Sequence, residues 1–186
     1  KEHAARVRRD FEEALKNSEF QAYYQPKVNV ETGKITGAEA LCRWFRDGKM
    51  IPPMEFIPIL ERSTDIFRLD FYMLDLVCKN IRKWLDEGKN AVRISINFSR
   101  KHLTDPKLLD NIVAIINRYD IPYEYIEIEL TETTTEGDYH KLKKLVEGLK
   151  EVGIHTSIDD FGIGYSSLNL IRDLPWNVMK IDKSLL

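Results

Sequence analysis

A chain of 186 residues with 43% hydrophobic and 31% charged content has the size and composition of one globular domain with a sizeable core, which excludes a disordered chain. Its 28 basic and 30 acidic residues give a formal charge of −2. That balance argues against binding along a long nucleic acid by counterion release and leaves room only for a local basic pocket.

The opening KEHAARVRRDFEEALKNSEF is charged throughout, and no run approaches the roughly 18 apolar residues of a membrane span. The sequence therefore predicts no membrane contact by this domain and no signal peptide, and a cytoplasmic location, with any anchor carried by an upstream part of a parent protein. Residues 1–17 are expected to form a linker helix with Ala4, Val7, Phe11 and Leu15 on one face, leading into a domain over residues 18–186. FQAYYQPKVNV and ITGAEALCRW are β-rich runs joined by ETGK, where Gly33 can take a positive φ, so two antiparallel strands open the domain.

Alternation follows. PMEFIPILERS and IFRLDFYMLDLVCKNIRKWLDEG read as helices, the second with Phe67, Phe71, Leu74, Val77, Ile81 and Trp84 on one stripe and Gly88 closing it. AVRISINFS is a strand, and DPKLLDNIVAIINRYD a helix with Asp105 as N-cap and Pro106 at its first position. YIEIELTE is a strand, DYHKLKKLVEGLKEVG a helix, HTSIDD a strand, FGIGYSS a glycine-rich loop over a site, SLNLIRDL a short helix and VMKID a sixth strand.

Such punctuation fits a doubly wound sheet or a (β/α) barrel. In AVRISINFS, Val92, Ile94 and Ile96 share one face and Ser95 and Asn97 the other; YIEIELTE separates Ile126, Ile128 and Leu130 from Glu127 and Glu129 in the same way. A doubly wound sheet favours continuous apolar runs, whereas polar groups at C-terminal strand ends suit a (β/α)8 TIM-type barrel. A full barrel takes roughly 250 residues, so these six strands are expected to form an incomplete one.

The inward polar residues at the strand ends are Glu39, Asn97, Glu129, Asp159 with Asp160 beside it, Lys180 and Asp182. Five carboxylates at one barrel mouth need raised pKa values or a cation, and hard oxygen donors favour Mg2+ or Mn2+ over Zn2+. Each residue also has a plainer reading. Glu39 can be a solvated strand residue or pair with Arg43, Asn97 a strand-end cap, Glu129 a surface carboxylate, Asp159 and Asp160 the start of an Asx turn, and Lys180 with Asp182 an isolated ion pair. His3, His102, His140 and His155 make no metal-binding spacing, and His155 reads as a barrel-interior residue. Cys42 and Cys78 read as buried reduced thiols, and Ser166 and Ser167 lack the context of a nucleophile elbow.

Taken in order, YYQPKVNVETGKITGAEALCRW, SINFS, ELTE, DDFGIGYSSL and LPWNVMKID resemble the EAL domain family of cyclic di-GMP phosphodiesterases, from about Phe20 to the last residue. The resemblance implies a modified (β/α)8 barrel with an antiparallel first strand, and metal-dependent hydrolysis of cyclic di-GMP to the linear dinucleotide in bacterial second-messenger signalling. It implies that Glu39, Asn97, Glu129 and Asp159 hold one metal, with Asp160 and Asp182 serving a second. By the same likeness Lys180 holds the attacking water, Glu132 steadies the DDFGIGYSS loop, and Gln25 and Arg43 contact guanine and phosphate. It also implies fusion to upstream sensory or GGDEF domains and a homodimer formed through the loop after Asp159.

Cys42 stands where the family has leucine and Ile163 where its loop has threonine. The family's later EGVE-type glutamate and substrate-contacting glutamine have no counterpart in these residues, so the chain is expected to be a fragment, truncated at its C-terminal end, with little activity of its own. Against the phosphodiesterase stands a second reading, an inactive EAL domain that serves as a cyclic di-GMP receptor.

Overall fold

The computed structural model describes residues 2–131, 136–161 and 173–181. Helix α1 (Glu2–Lys16) is followed by strands β1 (Phe20–Val28), β2 (Ile35–Arg46) and β3 (Lys49–Ile51), then helices α2 (Pro53–Leu60) and α3 (Asp65–Asp86). From there strand and helix alternate: β4 (Arg93–Phe98), α4 (Leu108–Arg118), β5 (Ile126–Thr131), α5 (Glu136–Val152), β6 (His155–Phe161) and β7 (Val178–Ile181). The strands form one sheet in the order β1, β2, β4, β5, β6, β7, with β3 hydrogen-bonded to β2 alone.

Strand β1 is antiparallel to β2, and every pairing from β2 to β7 along the sheet is parallel. This is the barrel-type sheet with an antiparallel first strand expected from the sequence. The tight turn before β2 is shaped by Gly33 at φ 67° and by the Asn29 side chain, which accepts from the Glu31 and Thr32 amides. Gly37 is required for a different reason: a Cβ there would lie 2.9 Å from the Arg93 carbonyl oxygen across the β2/β4 pair.

Two sequence expectations are corrected. The sheet has a seventh strand, β3, because β2 runs on to Arg46 and turns at Asp47 and Gly48, both at positive φ. Helix α4 begins at Leu108 and not at Pro106; Asp105 instead accepts from the Lys107 amide at 2.9 Å, a local Asx contact. A 3₁₀ turn at Arg100–Thr104, unanticipated, fills the gap after β4.

The outer face of the sheet is packed by the helices. Phe11 and Ala14 of α1, Phe20, Trp44, Phe56 and Leu74 are wholly or almost wholly buried in one continuous core. Phe20 sits at its centre, with ring centroids 5.7 Å from Phe11, 5.2 Å from Trp44 and 5.8 Å from Phe56. An ion pair fastens α1 to β2, Arg46 to Glu13 at 2.6 Å, and Glu19, just past the helix, is held by Arg46 at 3.0 Å and by the Trp44 indole, which donates to it. Cys42 and Cys78 are free thiols, each pushed by burial to a pKa of about 12, which keeps them unreactive. No helix among the described residues is long and apolar enough to cross a membrane.

Candidate functional site

Strand register decides which side chains meet. Glu39 of β2 lies opposite Gln25 of β1 and beside Ser95 of β4, and Asn97 pairs with Glu129 of β5, which pairs with Ser157 of β6. Because alternate residues share a face, Glu39, Asn97, Glu129, Asp159 and Lys180 all point inward near the C-terminal strand ends.

Their focus is an ammonium group. Lys180 Nζ donates to Glu129 Oε1 at 2.6 Å and to Glu39 Oε2 at 3.0 Å, and stands 3.2 Å from Asp159 Oδ2. Asn97 Nδ2 donates to the other Glu39 oxygen at 2.9 Å. Thus Glu39, a carboxylate flanked by small and apolar residues on its strand, is held from two sides.

Several plainer readings are thereby corrected. Glu129 is only 1% exposed and is no surface carboxylate. Asp159 and Asp160 lie within β6, which continues through Phe161. Lys180 is bonded to three acids from three other strands and is not one half of an isolated pair. Arg43 donates to the Cys42 carbonyl at 2.9 Å and stands 5.9 Å from the Tyr23 ring centroid, on the same face as Glu39. Gln25 is exposed beside them. Glu132, Asp182 and residues 162–167 of the FGIGYSS loop lie outside the described residues, and Asp160 is described only as strand backbone.

Burial pushes the Glu129 carboxyl up to a pKa of about 7; the Lys180 hydrogen bond opposes this, and the Glu39 and Asp159 charges add to it. Burial alone would lower Lys180, but its bonds to Glu129 and Glu39 win and hold the ammonium above its ordinary range. The second oxygen of Glu129 is buried without a hydrogen-bond partner among the described residues, and Lys27 Nζ stands 3.9 Å from it. Lys27 itself is bonded to the buried Glu127 at 2.9 Å, a lower ionic layer that sequence reasoning missed although the alternation of β1 put Lys27 on the inner face.

Among the described residues no three Asp, Glu, His or Cys side chains close on a metal position as they stand; the carboxylates surround the ammonium instead. The donor set nevertheless fits a hard divalent cation. Three carboxylates face one ammonium, and Glu129 Oε2 lacks a donor among the described residues. Beside the ionic cluster, a cleft of about 240 Å³ opens between the ends of β2 and β4 and helices α2 and α3, with Arg43 and Asn97 on its rim and Met73, Ile96 and Phe98 in its wall.

Known proteins share this arrangement of strands. The signalling protein YkoW of Bacillus subtilis is 39% identical over 173 residues, 92% of this chain and 22% of that protein. The bifunctional diguanylate cyclase/cyclic di-GMP phosphodiesterase MucR of Pseudomonas aeruginosa is 34% identical over 94% of the chain and 26% of its own length. The chain thus spans about a quarter of the curated relatives it matches. Among solved structures, a MucR phosphodiesterase complex with c-di-GMP superposes with a TM-score of 0.87 at 33% identity, over 96% of this chain and 73% of that one. The EAL enzyme Bd1971, bound to cAMP and cyclic di-GMP, gives 0.86 at 28% identity over 97% and 50%. The EAL domain model matches residues 8–186, and the chain belongs to the EAL domain family.

Proposed function

We propose that this domain hydrolyses one phosphodiester bond of cyclic di-GMP with the help of a divalent metal ion. The observation that carries the reading is the convergence of Glu39, Glu129 and Asp159 on Lys180 Nζ, within 2.6 to 3.2 Å, at the C-terminal strand ends. Relatives named for the same activity support it.

Glu39, Asn97, Glu129 and Asp159 would hold the metal, with Asp160 and Asp182 contributing to a second. A bound Mg2+ or Mn2+ supplies Lewis acidity toward a phosphoryl oxygen and acidifies water. The protein's own groups do the rest. Lys180 is a charged donor on a flexible stem, suited to hold and orient the attacking water once its carboxylate partners turn to a cation. Arg43 offers its guanidinium to a phosphate, and Gln25 its amide to a guanine edge. The cleft beside Arg43 and Asn97 gives a base an apolar wall. Water oxygen bonds to phosphorus, one P–O ester bond breaks, and the leaving oxygen takes up a proton, giving the linear dinucleotide.

The test is product formation by the full-length protein with Mg2+ or Mn2+, compared with Glu39→Ala and with excess chelator. Turnover that disappears in both controls is expected. No product with either metal overturns the reading, and tight nucleotide binding without product replaces it with the receptor.

A further inference from the structure

Asp70 lines the cleft beside Arg43 and Asn97, and the buried pair that it makes with His102 stands apart from the ionic cluster. Asp70 is 7% exposed and sits on the apolar stripe of α3; His102, 1% exposed, belongs to the 3₁₀ turn after β4. A single oxygen, Asp70 Oδ2, accepts from the Ser99 amide at 2.8 Å and meets His102 Nε2 at 3.0 Å. Ser99 is two residues beyond Asn97, at the point where β4 ends.

The ring of His102 is packed by aromatics on three sides, with centroids 4.3 Å from Phe67, 5.1 Å from Phe71 and 5.1 Å from Phe98. With Asp70 ionised, the contact places a proton on Nε2. Nδ1 has no hydrogen-bond partner among the described residues, so nothing else orients the ring but packing and Asp70. A carboxylate buried among apolar side chains is costly, and burial indeed pushes the Asp70 carboxyl upward against these two donors. A surface-facing residue, or a leucine, would pack α3 without that cost. What the carboxylate secures is the backbone at the end of β4: helix α3, strand β4 and the following turn are tied at one oxygen.

We propose that Asp70 is a positioning residue, which together with His102 fixes the β4 terminus so that the Asn97 carboxamide is presented to Glu39 in the geometry the site requires. Outer partners of this kind change metal affinity roughly ten- to a hundred-fold when removed. The inference rests on the metal-site reading for its effect on affinity, but the positioning itself can be read without metal.

The experiment compares wild type, Asp70→Ala, Asp70→Asn and His102→Phe in the full-length protein, at a temperature where all are folded. One readout is Mn2+ binding by calorimetry; the other is the side-chain amide resonance of Asn97 in metal-free protein. Asp70→Ala is expected to weaken Mn2+ at least ten-fold and to shift or broaden the Asn97 signal. Asp70→Asn, which keeps an oxygen for Ser99, is expected to restore most of both, with His102→Phe between them. If Asp70→Ala lowers thermal stability alone, leaving the Asn97 resonance and Mn2+ affinity unchanged, the inference is overturned. If the wild type binds no Mn2+ while Asn97 still responds to Asp70→Ala, the metal reading fails and the positioning stands.

Discussion

Lys180 Nζ lies 2.6 Å from Glu129 Oε1, and the carboxylate it meets is almost entirely closed to solvent. The lysine thus occupies the ground that a cation would share, and the two compete for the same oxygens. Lys180→Met is expected to lower turnover by about 100-fold or more, the range of a lost proton-transfer or water-positioning group. Mn2+ affinity is expected to hold or to rise. Single-turnover kinetics and calorimetry on the same samples check both halves.

Glu129 supplies a pH signature. Its folded pKa of about 7 lies above the ordinary 4.5, so the stability attached to its protonated form is complete below the ordinary value and is lost as pH rises through about 7. Metal-free Glu129→Gln, neutral throughout, should therefore gain on wild type by about 2 kcal/mol between pH 5 and pH 8. Urea unfolding of both proteins at the two pH values measures the change; an unaltered gap would show that Glu129 is not raised.

Arg43 is expected to act on binding. Arg43→Ala should raise KM by about ten- to a hundred-fold, the equivalent of one charge-assisted hydrogen bond, with a smaller effect on kcat. Arg43→Lys should recover little, since an ammonium lacks the planar fork that grips a phosphate. Steady-state kinetics with cyclic di-GMP separate the two parameters.

Helix α1 is expected to unfold with the rest of the domain. Phe11 is 0% exposed and packs edge-on against Phe20. Phe11→Ala should cost about 3 to 5 kcal/mol in a single cooperative transition. A detachable linker helix would instead leave the main transition where it was, which calorimetry would reveal.

Much of this was legible from residue order because the strands carry two alternations at once. Ile94 and Ile96 against Ser95 and Asn97, and Ile128 against Glu129, assign one face to the helices and the other to the barrel interior, and the register then sets Asn97 level with Glu129 and Glu39 level with Ser95, one inward position before Asn97. Strand β3 was not legible: three residues give no periodicity, and Asp47 takes a positive φ that its sequence only permits. The start of α4 was misread because Asp105 and Pro106 satisfy the rules for a helix start and for a turn equally well. Asp70 was overlooked although a signal existed. An acid on the stripe of Phe67, Phe71 and Leu74 has no solvent to face, and it called for a partner in the same way that Glu39 did.

The polar contacts of the candidate site join residues far apart in the chain: Glu39 and Lys180 are separated by 141 positions, Glu39 and Asn97 by 58, Glu129 and Lys180 by 51. None has a local precursor, and each must await closure of a long loop. Assembly of the cluster is therefore a late folding event, completed when the strand bearing Lys180 docks against strands formed earlier. During synthesis the chain cannot acquire the ammonium at its centre before nearly all of these residues have left the ribosome. Ligand capture then reports on an assembled cluster, and partly folded chains present the carboxylates without their lysine.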